Sequence, residues 1–290
     1  MALEWLRNVD LVRSRMASHQ VERKLEEGGG FCKISTFLPN KVALAAHDLL
    51  AKHSEWETMN EGEVAYQTDT IDHCFQFAEP ADHPATLGLL ADAIALLFED
   101  LVPSFSAAKY GKGDCIAPHD DKAHVSVESA RGRTQLYSRK YAGILYLTRG
   151  WKARFGGALL DFATETEHVP TFNTLIVFEV PRMHAVAPVL VDGMPRLSVF
   201  GWWLKRGRLY ELDATEPTCT SAEASGAVEY ADLADLLQQQ DQELAARARA
   251  GATRRKLRKQ GSADGGPPCE GEVSVGRGSV GKRARREPRD

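Results

Sequence analysis

Four short strand-like runs in the middle of the chain constrain its fold most strongly. They span residues 140–147, 155–162, 173–180 and 196–203, with Gly, Pro and polar turns between them. Aliphatic and aromatic residues dominate each run, and the third is almost continuously apolar, as expected of a strand covered on both faces. Many short strands separated in this way predict a mainly β fold with a jelly-roll or barrel core.

Two histidines and one carboxylate lie before and between these runs, where they could share a metal ion. His119 and Asp121 follow Pro118, which keeps this stretch out of a helix. On an extended segment, residues i and i+2 project to the same face, so the two side chains can converge. His184 follows the third run. Two His and one carboxylate that leave coordination positions open are the ligand set of non-haem Fe(II) oxygenases.

A second His-x-acid pair, His53 and Glu55, gives a weaker signal. It lies at the end of the helix that the pattern predicts over residues 41–52. Residues i and i+2 of a helix point in different directions, so this pair cannot share one ion without distortion. We therefore expect the metal site at His119, Asp121 and His184.

Arg196 opens the fourth run and indicates the cosubstrate. It shares a strand face with Ser198, Phe200 and Trp202. A guanidinium group holds a carboxylate through two parallel hydrogen bonds, and 2-oxoglutarate needs its distal carboxylate held while its keto-acid end chelates iron. Ser198 can add a hydroxyl hydrogen bond to the same carboxylate. We expect Phe200 and Trp202 to line the cavity and Trp203 to serve packing.

Taken together, these motifs resemble the prolyl-4-hydroxylase-like branch of the 2-oxoglutarate and Fe(II)-dependent oxygenases, including hypoxia-type and bacterial prolyl hydroxylases. The resemblance covers about residues 31–205. The residues that carry it are Tyr110, His119, Asp121, Tyr146, Leu147, Trp151, Gly156, Gly157, Leu159, Phe178, His184 and Arg196.

The resemblance implies a double-stranded β-helix, a cupin-like jelly roll, with flanking helices. It implies iron bound by His119, Asp121 and His184, and 2-oxoglutarate held by Arg196. Tyr110 and Tyr146 match positions whose hydroxyls approach the cosubstrate. Catalytic residues beyond these ligands are not expected.

The implied reaction is hydroxylation of a protein side chain, with prolyl as the family analogue, or of a small amino-acid-like molecule. It releases succinate and CO2 and requires Fe(II), 2-oxoglutarate and O2, with ascorbate as a further candidate. Halogenating relatives replace the carboxylate ligand, which is present here as Asp121. Residues 122–138 depart from the family pattern where the substrate entrance is usually shaped, so the substrate stays open.

Two alternative functions remain. The first is nucleic-acid demethylation of the AlkB type, which the acidic body argues against because phosphate binding needs basic surface. The second is a non-catalytic jelly-roll binding protein, which the complete ligand set with Arg196 argues against.

Charge is distributed unevenly along the chain. Residues 244–290 hold 13 Lys+Arg and 5 Asp+Glu, a net charge of +8, whereas the preceding residues hold 23 and 35, a net charge of −12. The basic runs 254–259 and 282–286 could be a nuclear-localisation or nucleic-acid signal. A solvated, unstructured tail is favoured because aromatic residues for base stacking are missing from the runs.

Cysteine use and the N-terminus indicate the compartment. The five cysteines form no zinc-like pattern, and their odd number argues against a disulfide scaffold. We expect Cys115 to be a buried small hydrophobe rather than a reactive thiol. No signal peptide and no membrane-spanning stretch is evident. A cytoplasmic protein is expected, with nuclear entry through the tail as the alternative and the oligomeric state open.

The chain should divide into three parts. Residues 1–30 form an N-terminal helical extension, with one amphipathic helix over 1–27. Residues 31–212 form the oxygenase domain, which begins with a strand over 31–37 and contains a helix over about 84–102 and edge strands over 62–78. Residues 213–290 form a C-terminal helix and a basic, disordered tail.

Overall fold

The computed structural model describes residues 2–59, 73–128 and 134–212. All of them lie within a single compact unit, residues 1–239. The helix and tail predicted over 213–290, and most of the edge-strand region 62–78, lie outside the described residues. The three-part division therefore stays a prediction. No helix in the described ranges is long and apolar enough to cross a membrane.

The N-terminal segment forms three helices rather than the single predicted helix over 1–27. These are α1 (Ala2–Arg7), α2 (Val9–Ser18) and α3 (Val21–Glu27). The Asn8 side chain accepts a hydrogen bond from the Leu11 N–H and so starts a new helix. Gln20 takes a left-handed conformation, with φ of 50°, which ends the helical path between α2 and α3. The prediction failed because periodicity does not register these local interruptions.

Twelve strands in the described residues build the sheet. They are β1 (Phe31–Ser35), β2 (Glu57–Met59), β3 (His73–Ala78), β4 (Val102–Tyr110), β5 (Cys115–His119), β6 (His124–Glu128), β7 (Thr134–Tyr146), β8 (Leu159–Asp161), β9 (Thr166–His168), β10 (Thr174–Glu179), β11 (His184–Val186) and β12 (Arg196–Arg206).

The strands pair antiparallel in the order β1-β10-β7-β12-β4-β3-β5-β11-β8-β9. In addition, β2 pairs with β3 and β6 pairs with β7. The sheet curls into a half-barrel with few helices, so the predicted jelly-roll fold class is confirmed. The polar segment 122–138 is largely the β6–β7 hairpin, whose residues 129–133 lie outside the described ranges.

Two further helices cover one face of the sheet. They are α4 (Asn40–Lys52) and α5 (Leu89–Ala95). The predicted helix over 84–102 is shorter: residues 84–88 form a single wider turn, α5 ends at Ala95, and β4 begins at Val102. Val102 precedes Pro103, and the residue before a proline is disfavoured in a helix.

Strand alternation separates a packed core from a cavity. Leu145, Val177 and Val199 point to the helix side, where they join the main hydrophobic core. Trp203 is fully buried there, and its indole N–H donates to the Ala95 carbonyl oxygen at 3.3 Å. Residues one position away, such as Tyr146, point into the half-barrel. This inner face holds the site described next.

Candidate metal site and anion pocket

The three predicted metal ligands converge at the end of β5. His119 ends β5 and is the direct antiparallel partner of His184, which begins β11. The Asp121 Oδ1 lies 3.6 Å from the His119 Nε2, and the Asp121 Oδ2 lies 3.7 Å from the His184 Nε2. One ligand atom from each residue lies within 4.8 Å of the other two. Asp121 has a left-handed backbone, with φ of 64°, in the turn that follows β5.

Both histidines offer the same nitrogen to the centre of the group. The Nδ1 of His119 lies 2.8 Å from the Ala117 carbonyl oxygen, and that of His184 lies 2.8 Å from the Arg182 carbonyl oxygen. A carbonyl oxygen only accepts, so each Nδ1 carries the proton and each Nε2 presents a lone pair. This arrangement orients both rings as metal ligands.

The protonation states also suit metal binding. Burial lowers the pKa of His184 to about 4, although the Asp121 carboxylate opposes this, so the ring is neutral at pH 7. Burial acts to raise the pKa of Asp121, but His184, His119 and Arg139 outweigh it and hold that pKa below its usual range. A neutral imidazole and an ionised carboxylate are the forms that bind metals.

An ion pair stabilises the segment that carries His184. The Arg182 Nε donates to the Asp161 Oδ1 at 2.9 Å, and its Nη2 donates to the Asp161 Oδ2 at 2.7 Å. Asp161 is in turn the β8 partner of His184. The Phe178 ring packs edge-on against the His184 ring at 4.7 Å between centroids. The paired strand β8 and the Phe178 ring therefore restrain the position of His184.

The register of three neighbouring strands assembles the predicted cosubstrate residues. Arg196 on β12 is opposite Tyr110 on β4, and Ser198 on β12 is opposite Tyr146 on β7. The Arg196 Cζ lies 4.4 Å from the Tyr110 ring centroid and 5.0 Å from that of Tyr146. Arg196 is only 1% exposed. The four residues form one group, which we call the anion pocket.

Several hydrogen-bonding atoms of the anion pocket are unsatisfied within the described residues. Within the described part of the chain, the Nε and Nη1 of Arg196, the hydroxyl of Tyr146 and the hydroxyl of Ser198 are buried without a hydrogen-bond partner. Burial raises the pKa of Tyr110 to about 12 and also raises that of Tyr146, so both hydroxyls stay protonated. A buried cation with unused donors is costly unless an anion binds it. A carboxylate fits this donor set.

The Gly156–Gly157 turn makes room for the Arg196 side chain. Gly157 has φ of 66°, a conformation that favours glycine. A Cβ at Gly157 would lie 3.0 Å from the Arg196 Cδ and 3.1 Å from the Val189 Cγ2. The turn therefore packs directly on the aliphatic stem of the Arg196 side chain.

A single cavity of about 80 Å³ joins the metal ligands to the anion pocket. Its walls include Phe75, Phe200 and Trp202, so the expectation that Phe200 and Trp202 line it is met. Of the predicted site residues, Tyr146 is the one that does not line this cavity, although its ring contacts Arg196. The predicted residues all lie in this one region.

The second His-x-acid pair, His53 and Glu55, does not form a metal site. His53 directly follows α4 in an extended conformation, and its Nε2 contacts the Glu55 backbone oxygen at 3.0 Å. Among the described residues, His119, Asp121 and His184 are the one group of His, Cys, Asp and Glu side chains that could hold a metal ion.

Sequence reasoning missed two polar residues of this region. Arg139 is buried in the cavity wall, with its Cζ 3.5 Å from the Trp202 ring centroid and its Nη1 3.6 Å from the Asp121 Oδ1. Thr174 is the strand partner of Tyr146, and its hydroxyl is buried without a partner among the described residues. Thr174 could have been found as the polar position that opens an apolar strand. No motif identified Arg139.

One family model and one curated protein match parts of the chain. Residues 105–204 match the family model described as the 2OG-Fe(II) oxygenase superfamily. The chain is 35% identical over 109 residues to the curated "Prolyl 3-hydroxylase OGFOD1" of Xenopus laevis. That match covers 34% of this chain and 19% of the relative, so the chain corresponds to about a fifth of the relative's length.

Solved structures of prolyl hydroxylases are also similar. A Pseudomonas putida prolyl-4-hydroxylase is 25% identical, with a TM-score of 0.41, and the match covers 61% of this chain and 94% of that one. A Trichoplax adhaerens prolyl hydroxylase, in complex with a hypoxia inducible factor peptide fragment, is 17% identical, with a TM-score of 0.48. That match covers 68% of this chain and 92% of the other.

Proposed function

Because residues 105–204 match the family model of the 2OG-Fe(II) oxygenase superfamily, we propose that this chain is a 2-oxoglutarate- and Fe(II)-dependent hydroxylase of a protein or peptide side chain. A prolyl residue is the first candidate for the hydroxylated group. The observation that carries the proposal is the presence, in one cavity, of a convergent His-Asp-His group and a buried Arg196 with unused donors.

His119, Asp121 and His184 would hold the iron, with both Nε2 atoms and the carboxylate facing it. When bound, iron and 2-oxoglutarate supply the oxidising chemistry, in which succinate and CO2 are released and a substrate C–H bond becomes C–OH. Three protein ligands leave coordination positions open for the keto acid and O2. The protein fixes the ligand geometry and excludes water.

The anion pocket would orient the cosubstrate. The Nε and Nη1 of Arg196 would donate to the distal carboxylate of 2-oxoglutarate, and the Ser198 and Tyr146 hydroxyls are free to donate to the same group. Since both tyrosines stay protonated, they act as donors rather than as competing anions. This contact would fix the distance between the bound carboxylate and the metal.

A prolyl substrate suits the apolar part of the cavity. Phe75, Phe200 and Trp202 give an aromatic wall next to the metal ligands. A saturated pyrrolidine ring has no polar groups to satisfy and can pack on such a wall. The name of the curated relative, a prolyl 3-hydroxylase, supports the same substrate class.

The test measures succinate release with Fe(II), 2-oxoglutarate and O2 against a panel of substrates. The panel contains proline-containing peptides, matched peptides with Ala in place of Pro, free amino acids and methylated oligonucleotides. We expect proline-dependent succinate release with a mass gain of one oxygen on the peptide. The His184→Ala variant is the matched control for background turnover. Release that follows free amino acids or methylated oligonucleotides instead would contradict the protein-substrate proposal.

A further inference from the structure

Two cysteines lie opposite each other where β3 pairs with β5. Cys74 and Cys115 are direct partners in this antiparallel pair. Directly opposed residues in such a pair have Cα atoms about 4.5–5.5 Å apart and side chains on the same face. A disulfide requires a Cα separation of about 4.4–6.8 Å. The strand register therefore gives this pair the backbone spacing of a disulfide.

Both side chains are accessible to reagents in solution. Cys74 is exposed and Cys115 is half-buried, and both are thiols in this structure. The expectation that Cys115 is a buried hydrophobe is therefore wrong, because its side chain at the start of β5 is only half-buried. The Cys74 Sγ lies 3.2 Å from the Oδ1 of Asp114, the residue directly before Cys115. The Cys74 sulfur therefore lies close to the residue that precedes β5.

We propose that Cys74 and Cys115 are a redox modification site that forms a reversible cross-strand disulfide in the presence of a two-electron thiol oxidant. The two S–H bonds break and one S–S bond forms, so the pair loses two electrons and two protons. A peroxide takes them up as its O–O bond breaks to give water. An azo compound takes them up as its N=N bond is reduced to a hydrazine. A dithiol reverses the reaction by thiol–disulfide exchange.

The disulfide would join two strands that carry parts of the site. Phe75 follows Cys74, and its ring stacks on Tyr110 with centroids 4.9 Å apart. Cys115 begins β5, which ends at the metal ligand His119. Oxidation would therefore fix the cavity wall to the strand that carries His119. This inference goes beyond the proposed hydroxylation and does not depend on it, because the bond can be detected in the protein without turnover.

The test treats the reduced full-length protein with diamide, an azo oxidant that avoids peroxide chemistry at iron. Remaining thiols are alkylated under denaturing conditions, and the peptides are mapped by mass spectrometry. We expect a Cys74–Cys115 linked peptide that disappears after dithiothreitol. Cys32 is the internal reference: it is buried, and burial raises the pKa of its thiol to about 11, so it should stay alkylatable throughout.

Single variants give the matched control. In Cys74→Ser, loss of the Cys115 thiol should slow by at least about tenfold, because its partner is no longer held at high effective concentration. Cys115→Ser should protect Cys74 in the same way. The proposal is overturned if both thiols stay alkylatable in the unmodified chain. It is equally overturned if either one links mainly to Cys219, Cys269 or a second copy of the chain.

Discussion

Replacing Arg196 by Lys tests the anion pocket most directly. Arg196 is 1% exposed, and its Nε and Nη1 have no hydrogen-bond partner among the described residues. Lys keeps the positive charge, but its single ammonium group cannot reproduce the planar pair of donors that matches a carboxylate. We expect Arg196→Lys to raise the 2-oxoglutarate concentration that gives half-maximal turnover.

The size of the effect follows from the number of donors lost. One of two charge-assisted hydrogen bonds disappears, and such a bond contributes about 1.5–3 kcal/mol. Since about 1.4 kcal/mol corresponds to a factor of ten, the requirement should rise about tenfold or more. Ser198→Ala removes one bond from an uncharged donor and leaves the Arg196 guanidinium in place, so its effect on the 2-oxoglutarate requirement should be smaller than that of Arg196→Lys.

The assay is a 2-oxoglutarate titration of succinate release for the unmodified protein, Arg196→Lys and Ser198→Ala. Iron content is measured on the same samples and should barely change, because neither residue belongs to the metal group. Thermal unfolding of each variant checks that the fold is intact. The two variants should rank in the order given by their hydrogen bonds.

An unchanged 2-oxoglutarate requirement in a folded, iron-loaded Arg196→Lys protein would refute this reasoning. Arg196 would then be a structural cation that packs between the Tyr110 and Tyr146 rings. Equal effects of Arg196→Lys and Ser198→Ala would also count against it, because a two-pronged bond from a cation should contribute more than a single bond from an uncharged hydroxyl.

Three further predictions follow from the structure. His184→Ala should abolish turnover and weaken Fe(II) binding at least about tenfold in a metal titration, and full retained turnover would show that the third ligand is misassigned. Truncation after Ala250 should leave turnover nearly unchanged, and a large loss in soluble protein would place the tail in the active unit. Burial lowers the pKa of His19. The unfolded chain, with a His pKa of about 6.5, therefore takes up the proton first, and the stability from His19 is present above that pH and lost as pH falls. Urea unfolding at neutral and mildly acidic pH should show a weaker pH dependence in His19→Gln, and an equal dependence would contradict this.

Residues that share a face of one strand, or that flank strand runs, could be selected from the sequence because strand geometry is regular. His119 and His184 are far apart in the chain, but each lies next to a strand run, and the two are direct partners in the sheet. Arg196 and Ser198 share a face by alternation, and the register adds Tyr110 and Tyr146 opposite them. Tyr110 and Tyr146 were predicted from the family resemblance, because alternation within one strand does not show which strands pair.

Features that depend on pairing or on single turns could not be predicted. The break at Asn8 depends on one side-chain cap, which periodicity over 1–27 does not detect. The half-buried position of Cys115 opposite Cys74 could not be predicted, because it depends on the pairing of β5 with β3. Arg139 lies in β7, whose sequence indicates a packed strand and no binding motif. Its position over Trp202 depends on the register of β7 with β12.

The register of β12 links the stability of this protein to its site. Arg196, Ser198, Phe200 and Trp202 face the cavity, whereas Leu197, Val199 and Trp203 lie in the main core. A shift of one residue would move the whole apolar set out of the core, together with the cation and hydroxyl out of the anion pocket. The core side chains therefore fix the register, and the register positions Arg196. Substitutions that loosen the core face of β12 should thus weaken cosubstrate binding even where they touch no ligand.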